Sequence, residues 1–130
     1  MPPFSVSPIY AAVLAIILVV LSIRVISVRR EAKVSVGDGG NEVLTRRVRT
    51  QANFAEYAPM GLLLIILAEG GGAPGFLLHG LGLMLTSGRI LHALGMSSKE
   101  APAMFRVGGM MLTFLSLLAG AVIALVFALI

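Results

Sequence analysis

Residues 104–130, MFRVGGMMLTFLSLLAGAVIALVFALI, decide the fold because they form a long apolar run whose one charged residue is Arg106. A helix needs about 20 mostly apolar residues to cross the hydrocarbon core of a bilayer. The run is too long for a strand and lacks the alternation of a half-buried strand. Helices are favoured in lipid because they satisfy their own backbone hydrogen bonds. The stretch therefore predicts a membrane-spanning helix.

Three further apolar segments precede this run, at residues 8–26, 53–67 and 76–94. The helix that contains residues 53–67 is expected to begin earlier, near Glu42 or Leu44, in a polar stretch. The composition agrees, since 58% of the residues are hydrophobic and 12% are charged, against about 45–50% and 25% in soluble domains. We therefore expect an all-α membrane protein, with residues 1–130 forming a single four-transmembrane-helix domain.

Several function classes are disfavoured at the outset. The residues before the first apolar run contain no Lys or Arg, whereas a signal peptide has a basic start, so we interpret that run as a retained span. The chain contains no Cys, which excludes thiolate metal ligands, disulfides and Cys nucleophiles. His79 and His92 are too few and too far apart for a convincing metal site, and we expect no metal. Nucleotide-binding and zinc-protease motifs are absent.

The basic residues lie at two of the three connections between the apolar segments. The polar stretches at residues 29–43 and 95–103, or the helix ends beside them, hold all ten, and the connection at residues 69–75 has none. The positive-inside rule then places the first and third connections in the cytoplasm and both termini on the other side. This asymmetry accounts for the pI of about 10.4 without a nucleic-acid partner. In the third connection, Ser97 or Ser98 is expected to cap the last helix, with Pro102 in its first turn.

Polar side chains within the predicted spans point to a site. Arg46, Arg49, Asn53 and Glu56 follow 3-4-3 spacing and share one helix face. Charges inside spans are costly and usually mark function. Polar residues of the third and fourth spans lie at the same, cytoplasmic, end of their helices, so all these groups are expected to form one layer; they are Arg89, His92 and Arg106. Four short helices enclose little interior, so this layer is expected to lie between protomers.

The chemistry of the layer suits a small anion. Arginine binds carboxylates bidentately, and Glu56 could hold an ammonium group, so a zwitterionic peptide with surplus carboxylate would match. An Arg beside a substrate thiol would favour the thiolate. A structural ion pair between Glu56 and an Arg remains an alternative, as does a packing role for His92. The basic residues near Lys33 could simply extend to the membrane interface.

Four stretches together resemble the MAPEG family, the membrane-associated proteins in eicosanoid and glutathione metabolism. They are VISVRREAKVS (25–35), RVRTQANFAEYAP (47–59), GRILHALG (88–95) and FRVGGMMLT (105–113). The motif R-x-Q-x-N-x-x-E-Y-x-P at residues 49–59 is the most specific part. The resemblance covers nearly the whole chain, and its compactness is similar to that of bacterial members.

The resemblance implies a homotrimer in the bacterial inner (plasma) membrane that binds glutathione as co-substrate between protomers, near the cytosolic face. It implies a glutathione-dependent transferase or peroxidase acting on a lipophilic electrophile that arrives from the bilayer lipids. Arg106 matches the arginine that activates the thiol and is the expected catalytic residue. The expected glutathione-binding residues are Arg29, Arg30, Arg49, Gln51, Asn53, Glu56, Tyr57, Arg89 and His92.

Two departures from the family pattern support a second hypothesis. Met96 stands where eicosanoid-making members tend to carry Tyr, and Val107 follows Arg106 where some members carry a hydroxyl. These residues favour a non-catalytic membrane scaffold or sensor that binds glutathione or another anion. A third hypothesis is a small transporter or channel subunit, but its polar residues would then be expected to run through the bilayer rather than gather at one end.

Overall fold

The computed structural model describes residues 3–130 as four α-helices joined by three connections, with no strand among those residues. The all-α four-helix fold is therefore confirmed. The helices are α1 (Ser7–Ala32), α2 (Glu42–Gly70), α3 (Gly75–Gly95) and α4 (Ala103–Leu129). Helix α2 contacts all three other helices, and the most extensive pairing is between α3 and α4.

Three of the helices, α1, α2 and α4, are long and apolar enough to cross a membrane. Helix α3 has 21 residues, a length of about 30 Å at 1.5 Å per residue, but it carries Arg89, His79 and His92. Both Arg89 and His92 are buried against the other helices, so two of these three side chains face the interior. Large apolar side chains cover the outer faces of α1 and α4, as lipid contact requires.

The beginning of α1 is held by a side chain from the end of α2. The Glu69 carboxylate accepts hydrogen bonds from the backbone N–H groups of Ser5 at 2.6 Å, Val6 at 2.7 Å and Ser7 at 2.7 Å. The first N–H groups of a helix have no partner within the helix, and a carboxylate also complements the positive end of the helix dipole. Glu69 therefore links the end of α2 to the start of α1.

Helix α2 begins at Glu42, as the sequence predicted, because Asn41 caps it. The Asn41 side chain accepts a hydrogen bond from the Leu44 N–H at 3.0 Å, which is the usual capping geometry. Just before it, the Asp38 carboxylate accepts from the Thr45 hydroxyl at 2.7 Å and the Gly40 N–H at 3.0 Å. These two hydrogen bonds lower the pKa of Asp38 below its ordinary value. The polar connection is thus closed by its own side chains.

Glycines allow α3 and α4 to approach closely at the end of the bundle that holds the first and third connections. A Cβ at Gly109 would collide with the backbone N–H of His92, and a Cβ at Gly95 would collide with the backbone N of Arg106. Small residues at helix crossings permit this backbone-to-backbone contact in membrane proteins. The packing fixes the start of α4, and with it Arg106, beside the end of α3.

The predicted capping of α4 by Ser97 or Ser98 is wrong. Pro102 occupies the N-cap position of α4, and the Ser98 hydroxyl accepts instead from the Ala101 N–H at 3.2 Å within the connection. A capping side chain must reach N–H groups two or three residues ahead of it. Because the helix begins only at Ala103, both serines lie too far back to reach its first turn.

Candidate functional site

A pocket of about 220 Å³ opens between α2, α3 and α4 at the same end of the bundle. We call it the polar pocket. Helix α2 supplies four of its lining residues, the last turn of α3 and the residue after it supply one each, and the start of α4 supplies one. Its lining residues are Arg49, Ala52, Asn53, Glu56, His92, Met96 and Arg106.

The helical spacing of α2 explains why three of the lining residues lie together. Arg49, Asn53 and Glu56 lie four and three residues apart, so their side chains project from one face, and all three line the polar pocket. Arg46 belongs to the same sequence pattern but is used elsewhere: it donates to the Ser98 carbonyl at 3.3 Å and lies 3.8 Å from the Glu42 carboxylate. Of the four residues predicted to share one face of α2, three therefore line the pocket, and Arg46 makes a structural contact instead.

The lining of the polar pocket carries a net positive charge. Arg49 and Arg106 bring two positive charges to its wall and Glu56 brings one negative charge, and all three residues are exposed. Among residues 3–130 the ion pairs are those of Glu42 with Arg46 and with Lys99, so Glu56 has no cationic partner there. The alternative of a structural Glu56–Arg ion pair is thus not realised within the chain. Free guanidinium groups beside a free carboxylate suit a ligand with both charges.

Arg89 lies behind the pocket rather than in its lining. Its side chain is 1% exposed, with Nη1 donating to Asn53 Oδ1 at 2.5 Å and Nε donating to the Thr113 hydroxyl at 3.0 Å. The guanidinium also lies 5.7 Å from the centre of the Tyr57 ring, within cation–π range. Tyr57 in turn packs edge-on against Phe114 at 5.6 Å between centroids. Arg89 and Tyr57 therefore lie together behind the polar pocket, between α2, α3 and α4.

The remaining predicted site residues lie on a different surface, formed by α1 and α2. Arg29 donates to the Gly37 carbonyl at 2.6 Å, and Gln51 reaches the Ser22 hydroxyl at 3.5 Å. Arg30 is exposed and lines a shallow depression on α1 with Ile23. None of these three side chains lines the polar pocket. Within one chain, the predicted residues thus form two groups.

Sequence reasoning missed several residues that the structure brings into or beside the site. Met96 lines the pocket although its apolar side chain suggested only a departure from the family pattern. Thr113 and Met110 hold Arg89, the latter through a contact of 3.1 Å from Nη2 to sulfur. The sequence marks Thr113, with Ser116, as a polar residue within the last apolar run, but it gives no sign that Thr113 contacts Arg89. No sequence signal marked Met110, because methionine usually fills apolar gaps.

Comparison with known proteins identifies the class. The model of the MAPEG family matches residues 7–126, which is nearly the whole described chain. This chain belongs to the MAPEG family, a membrane family associated with glutathione-related transferases and peroxidases, and it is an integral membrane protein.

Two curated relatives are also similar to it. The chain is 34% identical over 90 residues to inner membrane protein YecN of Escherichia coli K12, covering 69% of each chain. YecN of Escherichia coli O6:H1 matches with the same identity and coverage. Both relatives are named for their place in the inner membrane.

Proposed function

We propose that this protein is a glutathione-dependent transferase or peroxidase that acts on lipophilic electrophiles. The observation that carries the proposal is the polar pocket, where Arg49, Arg106 and Glu56 have no ionic partner among residues 3–130. Glutathione carries two carboxylates, one ammonium group and a thiol. Arg49 suits a carboxylate, Glu56 suits the ammonium group, and Arg106 suits the thiolate. Membership of the MAPEG family supports the same ligand.

The two groups of predicted residues support a site completed between protomers. Arg29, Arg30 and Gln51 lie on the α1–α2 surface and outside the polar pocket of their own chain. We propose a homotrimer in which the α1–α2 surface of one protomer faces the polar pocket of the next. This arrangement adds the cations needed for the second glutathione carboxylate. Cross-linking in mild detergent that yields only monomer would contradict it.

Arg106 is the proposed catalytic residue. A guanidinium beside the thiol lowers its pKa and stabilises the thiolate, which is the reactive nucleophile. The thiolate lone pair forms a carbon–sulfur bond with the electrophile, and the leaving group departs with the displaced electron pair. With a lipid hydroperoxide, the thiolate instead attacks oxygen and releases the alcohol. A second glutathione then converts the resulting sulfenic acid to the disulfide and water.

The positions of the basic residues support a cytoplasmic location for the pocket. Arg46, Arg47 and Arg49 lie at the start of α2 and Lys99 in the third connection, at the same end of the bundle as the pocket. The positive-inside rule places this end in the cytoplasm and both termini on the opposite side of the inner membrane. Glutathione would then enter from the cytosol, and the second substrate from the bilayer.

A binding protein without turnover is the second candidate, and Met96 is the observation that favours it. Met96 lines the pocket at the position where eicosanoid-making members tend to carry Tyr, so the hydroxyl of that Tyr is missing here. Such a protein would bind glutathione or another anion as a scaffold or sensor. It would leave the thiol protonated, whereas the enzyme would not.

One experiment separates the two candidates. Glutathione binding to the purified protein in detergent is measured by calorimetry, and thiolate formation is followed by ultraviolet difference absorbance. Wild type is compared with Arg106→Ala and Glu56→Ala. Binding with a thiolate signal that Arg106→Ala removes supports the enzyme. Binding without thiolate supports the scaffold or sensor, and no binding in wild type contradicts both forms of the glutathione proposal.

A further inference from the structure

Arg89 is a buried charge whose Nη1 is directed at one neighbouring residue of the pocket lining, Asn53. Nη1 donates to both the side-chain oxygen of Asn53 at 2.5 Å and its carbonyl oxygen at 3.4 Å. The side chain is 1% exposed, and it has no ion pair with a carboxylate of residues 3–130. A buried guanidinium needs such acceptors because leaving its N–H groups unpaired is costly.

This contact determines how the Asn53 amide is turned. Arginine has only donors, so the Asn53 atom facing it must be the amide oxygen. The NH₂ group of the same amide is then directed away from Arg89, and Asn53 lines the polar pocket. An asparagine free of this contact would present either its oxygen or its nitrogen to a ligand. Arg89, which lies outside the pocket lining, therefore determines whether Asn53 presents its oxygen or its nitrogen to a ligand.

We propose that Arg89 is a positioning residue, which fixes the Asn53 amide so that the pocket offers an N–H donor and selects a ligand that has an acceptor oxygen there. The identity of that ligand as glutathione rests on the proposed function, whereas the Arg89–Asn53 contact does not. The acceptor is a carboxylate or peptide carbonyl oxygen. A ligand that presents a donor at this position is rejected, because two donors would face each other.

Direct contact between Arg89 and the ligand does not explain the arrangement. Arg89 is absent from the pocket lining, and Asn53 and Tyr57 lie against it. Thr113 anchors its Nε from α4, through a hydroxyl that is itself fully buried and donates to the Gly109 carbonyl at 2.8 Å. The guanidinium is thus held from α4 and acts on α2, so the packing of these helices sets the orientation of one pocket side chain.

The contact itself is tested without any ligand. Asn53→Asp keeps an oxygen for Arg89 and adds a countercharge, whereas Asn53→Leu removes the acceptor at similar volume. Thermal unfolding in detergent should show Asn53→Asp at or above the wild-type Tm and Asn53→Leu clearly below it. Equal losses of Tm in the two variants would overturn the proposal.

The consequence for binding is tested with glutathione in a double-mutant cycle. Arg89→Met should weaken glutathione binding about tenfold in the wild-type background, as expected for one lost hydrogen bond to a charged group. In the Asn53→Ala background the same change should weaken binding less than about twofold, because Arg89 has nothing left to orient. If the tenfold loss persists there, Arg89 acts through its charge or through general stability, and the proposal fails.

Two further variants keep the cycle interpretable. Ser116→Ala is the matched control, since the Ser116 hydroxyl also joins α4 to α3, donating to the Leu81 carbonyl at 3.1 Å. It should lower Tm without changing the glutathione Kd. Should Arg89→Met not fold, Arg89→Lys replaces it and should give a smaller loss with the same dependence on Asn53.

The outcomes also separate this proposal from the proposed function. If wild type does not bind glutathione, the proposed function fails, and the unfolding comparison of Asn53→Asp with Asn53→Leu alone decides the role of Arg89. If wild type binds glutathione but the cycle shows additive effects, the proposed function stands and the positioning role is wrong.

Discussion

The two ends of the helix bundle both carry polar side chains within apolar helices, yet they use them differently. At the end with the second connection, Glu69 accepts three backbone N–H groups. Nearby, the Tyr10 hydroxyl lies 3.0 Å from Nδ1 of His79. At the other end, Glu56 and Arg106 line a pocket without ionic partners in residues 3–130. Glu69 thus holds the fold, whereas Glu56 and Arg106 remain available for the ligand proposed above.

The largest effect in this comparison is expected when a charge is removed from the polar pocket. Arg106→Ala should lower turnover with a generic electrophile by about 100-fold or more, as for other lost transition-state stabilisers, while glutathione binding largely survives. Steady-state kinetics and calorimetry measure the two effects. Lys33→Gln is the control, since Lys33 lies in the first connection outside the pocket. Full activity of Arg106→Ala would mean that the thiolate is stabilised by another group.

The packing that brings the pocket together is tested at adjacent glycines. Gly109→Ala places a methyl group against the His92 backbone, whereas Gly108→Ala places one at 3.5 Å from the Leu91 side chain, an ordinary contact. Gly109→Ala should cost about 1–3 kcal/mol of stability, as overpacking does, and should weaken glutathione binding because it displaces Arg106. Gly108→Ala should be close to wild type in both. Similar behaviour of the two variants, measured by unfolding in detergent, would contradict the helix crossing described above.

At the end of the bundle with the second connection, a substitution should change stability and not glutathione binding. Glu69→Ala removes the acceptor of three N–H groups at the start of α1 and should cost about 1–2 kcal/mol, the upper range for a lost helix cap. The glutathione Kd, measured well below Tm, should not change because the pocket lies at the other end. A large change in Kd would remove the distinction between the two ends.

The smallest effect is expected at the surface beside the pocket. Lys99 lies 2.6 Å from the Glu42 carboxylate, and both side chains are more than half exposed. Because exposed ion pairs contribute little and are screened by salt, Lys99→Ala should cost at most about 1 kcal/mol, less at high ionic strength. A larger, salt-independent loss of Tm would show that this ion pair holds the third connection in place.

The helices were predictable because their signal is local. Long apolar runs gave all four, and the polar start of α2 near Glu42 followed from continuing its periodicity. The structure corrected the start of α4, where Pro102 and not a serine holds the N-cap position. It also showed the role of Glu69, which pattern analysis had assigned only to a Gly/Pro-rich connection. Its partners are residues 5–7, which are distant in sequence.

The candidate site was predictable in part. The 3-4-3 spacing on α2 grouped Arg49, Asn53 and Glu56, and the structure places all three in one pocket with His92 and Arg106. It also separated Arg29, Arg30 and Gln51 from that pocket and placed Arg89 behind it. Spacing along one helix fixes which side chains share a face, but not which other helix meets that face.

The sequence by itself determined that this is a four-helix membrane protein with its basic residues gathered at one end, because apolar length, charge distribution and helical periodicity are properties of the chain. Only the tertiary structure decided which polar side chains are satisfied and which are free. At the pocket end, that choice depends on where α4 crosses α3, at glycines whose missing side chains allow the close approach that brings Thr113 to Arg89 and Arg106 to the pocket. Such contacts join residues far apart in sequence, and no local pattern encodes them.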